Sequence, residues 1–167
     1  PLHMVPVPDS GVLIVTGIPG AGKTTVARLI AASFPRAAHI PEDEIHNLTV
    51  SGRVHPGESP SEESRRQLAI RDENISALAD NLAAGGIFPI IDDVFASRSR
   101  FERVCGLMRT RPIYVAVLAP ELETAIERDR KRSEKTVAES WAHLDIEIRS
   151  EMADVGFWLD STQLDAK

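Results

Sequence analysis

Along the chain, short runs of consecutive apolar, often β-branched residues alternate with longer stretches in which apolar residues recur every three or four positions. The first pattern is that of strands covered on both faces, the second that of helices with one buried side. Strands are predicted at 11–16, 37–40, 87–92, 113–118 and 157–160. Between them, 22–34 puts Val26, Leu29, Ile30 and Phe34 on one helical face, and 97–110 does the same for Phe101, Val104, Cys105 and Met108 before Pro112. A further helix at 136–152 groups Val137, Trp141, Leu144 and Ile148. The longest helix is predicted at 59–84, with Ser59 and Glu62 as a capping box, Pro60 in its first turn and Gly85-Gly86 as its stop. It would reach about 37 Å. Its second half offers Ile75, Leu78, Ala79 and Leu82 to a sheet, whereas its first half, with Arg65, Arg66 and Arg71, is polar and is expected to project beyond the sheet. Alternating strands and helices predict an α/β fold of βαβ units around a parallel sheet. No repeat, low-complexity tract or linker divides the chain, so residues 5–167 read as one domain and the opening "PLHM" as a cloning scar.

Composition narrows the class. With 167 residues, 43% hydrophobic and 26% charged, the chain is expected to be a soluble globular domain with a real core. Nineteen basic against 25 acidic side chains leave a formal charge of −6, which provides no general attraction to nucleic acid or anionic lipid. No apolar run approaches the roughly 20 residues that span a bilayer, and the first residues lack the pattern of a signal peptide. The single cysteine, Cys105, excludes an intramolecular disulfide and suits a reducing cytosol, so a cytoplasmic location is expected and Cys105 reads as a packing residue.

The chemistry begins at "GIPGAGKTT", Gly17 to Thr25, directly after the first strand and before the first helix. This is G-x-x-x-x-G-K-[ST], the P-loop. A loop around a polyphosphate must bring several backbone N–H groups to its oxygens, which favours glycines at Gly17, Gly20 and Gly22 with Pro19 and Ala21 between them. The helix that follows adds its positive end. Lys23 is expected to bridge β- and γ-phosphate oxygens, Thr24 to ligate Mg²⁺, and Thr25 to complete the nucleotide cradle.

In a doubly wound sheet the ligand crevice lies outside the carboxyl ends of the strands. After the second strand comes "PEDEIHN", where Asp43 is the candidate to take or orient the proton of an attacking hydroxyl, and Glu42 and Glu44 are expected to solvate a loop. After the third comes "DDVF". Asp92 is a second candidate there, to hold Mg²⁺ through water or to grip the acceptor, while Asp93 is expected to face away. "ERDRKR", 127–132, follows the fourth strand on a helix. Arg128 and Arg132 share a face, which suits clamping the phosphoryl group in flight, and a solvated basic face is the alternative. Arg53 is a candidate grip for an anionic or hydroxyl-rich substrate. His46, His55 and His143 lack metal-ligand spacing.

In this order "GIPGAGKTT", "PEDEI", "IIDDVF", an arginine-rich segment and "WLDST" resemble the small P-loop kinases of the adenylate, shikimate and gluconate kinase-like superfamily. Within it the chain is most similar to chloramphenicol phosphotransferase-like proteins, over 12–162. The resemblance implies a three-layer α/β/α domain with a five-stranded parallel sheet in the order 2-3-1-4-5. It implies a substrate-side region near 47–75 and a helical lid near 120–137. It also implies ATP as donor, a small-molecule hydroxyl as acceptor, Asp43 as base, and adenine held near Arg128 and the stretch from Asp160 to Thr162. The stretch from Asn47 to Arg71 departs from the gluconate, shikimate and nucleotide kinases. A polynucleotide 5′-kinase and a regulatory nucleotide-binding switch are the alternatives. The first needs a basic track, against which the acidic net charge argues, and the second a catalytic glutamine or an effector-facing switch loop, neither of which the sequence shows.

Overall fold

A computed structural model describes residues 8–55, 61–131 and 142–163. The elements run β1 (Val12–Gly17), α1 (Lys23–Ser33), β2 (Ala37–Pro41), α2 (Glu42–Asn47), α3 (Glu62–Ala84) and β3 (Phe88–Asp92). They continue with α4 (Arg98–Leu107), β4 (Ile113–Leu118), α5 (Leu122–Arg130), α6 (His143–Glu151) and β5 (Phe157–Leu159). The five strands form one parallel sheet in the order β2-β3-β1-β4-β5, the order expected from the resemblance. α1 packs on β1, β2 and β3 and α3 on β2 and β3, and because their connections run in opposite directions across the sheet, the right-handed crossover rule puts them on opposite faces. That double cover explains why Val12, Ile14, Val15, Ile90 and Ile91 are fully buried. Each such side chain contributes about 1.5–3 kcal/mol by leaving water.

The order of strands also positions the site. β1 lies between β3 and β4, with Val15 paired to both Asp92 and Ala116, so the loop after β1 meets the ends of both neighbours. On β2, Pro41 is paired with Asp92. The residues following β2 and β3 therefore leave the sheet side by side.

The longest helix differs from its sequence reading at its start. It begins at Glu62 with Ser61 as N-cap, the Ser61 hydroxyl accepting from the Ser64 amide at 3.1 Å. Ser59 and Pro60, the expected cap and first-turn residues, lie outside the described residues. Its first half, expected to project beyond the sheet, is partly covered by neighbouring helices. Ser64, Arg71 and Asp72 are buried: α2, which pattern alone suggested was an acidic loop, packs against α3 at Arg71, and α4 packs against it at Asp72. Leu78 and Leu29, both placed on buried faces by periodicity, are 37% and 56% exposed. Residues 132–141, which hold Val137 and Trp141, lie outside the described residues, and α6 begins at His143. Among the described residues, no helix is long and apolar enough to cross a membrane.

Candidate active site

The loop between β1 and α1 folds on itself through the Ala21 amide, which donates to the Ile18 carbonyl at 3.1 Å. Gly22 caps α1 in a left-handed conformation, φ 94°, and a side chain there would meet open space. Gly17 and Gly20 are different: a Cβ on them would run into the backbone carbonyls of Leu118 and Ala125. Two of the loop's glycines are thus required by the protein's own packing on β4 and α5, and the third by the left-handed turn into α1. Lys23, the first residue of α1, donates from Nζ to the Ile18 carbonyl at 3.1 Å. Its ammonium thereby lies over the mouth of the loop.

Thr24 faces β3. Its hydroxyl donates to Asp92 Oδ2 at 2.7 Å, and His39 Nε2 on β2 approaches the same oxygen at 3.2 Å. Burial pushes the Asp92 carboxyl up, but the His39 hydrogen bond, the Lys23 charge and the Thr24 hydroxyl outweigh it and hold the group below its usual range. Asp92 is therefore an anion at neutral pH, within a hydroxyl's reach of the P-loop. Thr24 and Asp92 are hard oxygen donors, the kind that suits Mg²⁺. His39 was missed in the sequence, where its only signal is one polar residue inside the strand run "AAHIP".

Asp93 turns away from Thr24, as strand alternation requires, and is held by Arg100 on α4 at 2.6 Å. Arg100 also binds Asp72 of α3 at 2.6 Å, Arg103 closes on the other Asp72 oxygen, and the Arg100 guanidinium lies 4.7 Å from the Phe95 ring centre. Burial pushes the Asp93 carboxyl up, and Arg100 opposes this. For Arg100 burial alone would disfavour the charge, but Asp93 and Asp72 reverse this and hold its proton more firmly. This buried network fixes α3 and α4 to the end of β3. Sequence reasoning missed it because its members are far apart in the chain.

The acidic turn is the first turn of α2. Asp43 and Glu44 are exposed. Glu42 is not the loop-solvating residue expected: its side chain is 15% exposed and pairs with Arg71 Nη1 on α3 at 2.5 Å. Burial pushes its carboxyl up to about 7, Asp93 and Asp43 adding to the shift while Arg71 and Arg100 oppose it. The helical turn rotates Glu42 inward against α3 and leaves its two acidic neighbours outside. Arg53, in the loop after α2, donates from Nη1 to Asn47 Oδ1 at 2.6 Å on the protein surface.

On the far side of the P-loop, Arg128 of α5 donates from Nη2 to the carbonyls of Ser161 at 2.8 Å and Thr162 at 3.2 Å. The Ser161 hydroxyl in turn donates to Ala21 O at 3.2 Å, tying the loop after β5 to the P-loop. Thr162 Oγ1 accepts from the Glu121 amide at 2.9 Å. The structure thus brings Arg128 and Thr162 together at the edge of the P-loop. Lys131 pairs with Glu127 on the exposed helix surface. Arg132 lies outside the described residues.

A family model described as an AAA domain matches residues 12–147. No curated protein matches the chain in sequence. Among solved structures, a sugar kinase from Janibacter sp. HTCC2649 is similar with a TM-score of 0.65 and 20% identity, over 93% of this chain and 87% of that one. The tunicamycin resistance protein of Deinococcus radiodurans gives 0.65 and 16%, over 94% and 89%. A chain of the Pnkp1/Rnl/Hen1 RNA repair complex gives 0.69 and 18%, over 94% of this chain and 50% of that one. Identities this low speak for a common fold.

Proposed function

The chain belongs to the AAA domain family, and from its site we propose that it is an ATP-dependent phosphotransferase, moving the γ-phosphoryl group of ATP to a hydroxyl of a small molecule. The observation that carries this reading is the Thr24–Asp92 hydrogen bond of 2.7 Å beside Lys23, since a P-loop hydroxyl and a strand-end carboxylate are the pair that holds Mg²⁺ in P-loop enzymes. Bound there, the ion would neutralise charge building on the phosphate oxygens. In this reading Gly17, Pro19, Gly20, Ala21, Gly22 and Thr25 cradle the phosphates, and Lys23 leaves the Ile18 carbonyl to bridge the β- and γ-oxygens. Arg128 and Thr162 support the nucleoside side, and Arg128 with Arg132 serves as the lid's charge. Asp43, exposed at the mouth of α2, takes or orients the proton of the acceptor hydroxyl, while Arg53 and Asp92 contact the acceptor. A cytoplasmic location suits a chain with one cysteine.

The test is release of ADP from ATP against a panel of sugars, nucleosides, amino alcohols, hydroxy acids and antibiotics, with Lys23→Ala as the control. Acceptor-dependent turnover that vanishes in the control supports the reading; a folded protein that fails to bind ATP removes it. A polynucleotide 5′-hydroxyl is the second acceptor to consider, because the likeness to a chain of an RNA repair complex has a TM-score of 0.69. The net charge of −6 weighs against it. RNA or DNA binding with a steep salt dependence would favour it.

A further inference from the structure

At the end of the sheet opposite the P-loop lies a cavity of about 780 Å³, within the range of about 300–1,000 Å³ that small-molecule sites occupy. It opens where the strands begin: Gly11 precedes β1, Arg36 precedes β2, Phe88 starts β3 and Arg111 comes shortly before β4. The six residues of β1 separate it from the loop that follows Gly17, a span of about 20 Å. Nucleotide and acceptor belong to the crevice at the other end of such a sheet. The phosphotransferase reading therefore makes no use of this space.

One wall of the cavity is apolar. Phe34 stacks on Phe88 with ring centres 4.4 Å apart, and Pro35, Ala84 and Ile87 extend that surface. The polar part of the lining carries three arginines, Arg36, Arg109 and Arg111, against two acids, Asp9 and Asp80. Asp80 is fully engaged. It accepts from the Arg109 and Thr110 amides and the Thr110 hydroxyl at 2.7–3.0 Å, and Arg109 Nε reaches it at 3.4 Å. Burial pushes its carboxyl up, but those bonds outweigh it and hold the group below its usual range. Arg111 donates only to uncharged acceptors, the carbonyls of Cys105, Met108 and Thr110. Arg36 makes no side-chain hydrogen bond or ion pair among the described residues, and its Nη2 stands 3.9 Å from where a Cβ on Gly86 would be. Arg109 balances Asp80, and Asp9 is exposed on the rim. Arg36 and Arg111 thus leave the lining with one positive charge beside its apolar wall.

We propose that this cavity is a binding site for a small aromatic monocarboxylate, its ring on the wall of Phe34, Pro35 and Ile87 and its carboxylate paired with the Arg36 guanidinium. The planar fork of a guanidinium matches the two oxygens of a carboxylate, and a single negative charge is what the lining leaves unbalanced. An aromatic ring covers an apolar wall without burying polar atoms that would go unpaired.

NMR titrations with phenylacetate and indole-3-acetate, at matched ionic strength, test the site without any turnover. Both acids should bind saturably, whereas phenylacetamide, which lacks the charge, and acetate, which lacks the ring, should bind at least about tenfold more weakly. Arg36→Gln, its folding checked by circular dichroism, should weaken the acids about tenfold, the lower worth of a hydrogen bond to a charged group, and should bind ATP as the wild type does. Lys23→Ala, altered at the other end of the sheet, should bind the acids unchanged. Phenylacetamide binding as tightly as phenylacetate, or no saturation by either acid up to about 10 mM, would overturn the proposal. So would acid binding that disappears in Lys23→Ala and survives in Arg36→Gln, since the acids would then occupy the P-loop crevice. Failure of ATP to bind the wild type would count against the phosphotransferase and leave the carboxylate site standing.

Discussion

The Thr24 hydroxyl donates to Asp92 Oδ2 at 2.7 Å, joining the first turn of the P-loop helix to the end of the neighbouring strand β3. Since His39 reaches the same oxygen, the carboxylate is oriented before any metal arrives. Asp92→Asn keeps the shape but removes the charge, and should raise the Mg²⁺ concentration needed for half-maximal turnover. His39→Gln, which disturbs only the orientation, should cost about 10–100-fold in metal affinity or activity, as is usual for groups that position a ligand. Unchanged Mg²⁺ dependence in both variants would remove Asp92 from the metal site.

Lys23→Ala should abolish phosphoryl transfer and leave the thermal unfolding midpoint nearly unchanged. The side chain, partly exposed, donates to a P-loop carbonyl at 3.1 Å, and its removal takes away a charge aimed at the β- and γ-phosphates of the nucleotide. Normal turnover by the folded variant would refute the P-loop assignment.

Asp43→Asn tests the base. General-base assistance is typically worth about 10²–10⁴-fold, and kcat should fall within that range while ATP affinity stays put. Glu44→Gln, exposed on the same turn, should be near neutral. Glu42→Gln is the informative comparison, because its carboxyl is buried against Arg71. If the large kcat loss follows Glu42 rather than Asp43, the base is the inward-facing residue.

Stability should carry two opposing pH dependences. Glu42 titrates near 7 when folded and near 4.5 otherwise, burial being the main cause, so its contribution is fully present below about 4.5 and lost as pH rises through about 7. His46 is lowered to about 4 from 6.5, chiefly by burial, so its contribution is present above about 6.5 and lost as pH falls through about 4. Wild-type melting temperatures should therefore vary little across the shared window. Glu42→Gln should unmask the loss on acidification, and His46→Gln the loss on raising the pH. Parallel curves for all three proteins would mean that neither group is perturbed as described.

The chain's own order of residues determined the five strands, the P-loop and its helix. Those signals are local: consecutive apolar residues require cover on both faces, and G-x-x-x-x-G-K-T encodes a turn within a few residues. Asp92 was legible too, as a charge ending an apolar run. What the tertiary structure decided is which charges lie inside. Glu42, Asp43 and Glu44 are indistinguishable as a sequence run, and only the packing of α2 on α3 turns Glu42 toward Arg71. The Asp93–Arg100–Asp72 network and the approach of His39 to Asp92 likewise join four different elements. Burial of a charge depends on the partner that compensates it, and that partner is brought by the fold from elsewhere in the chain.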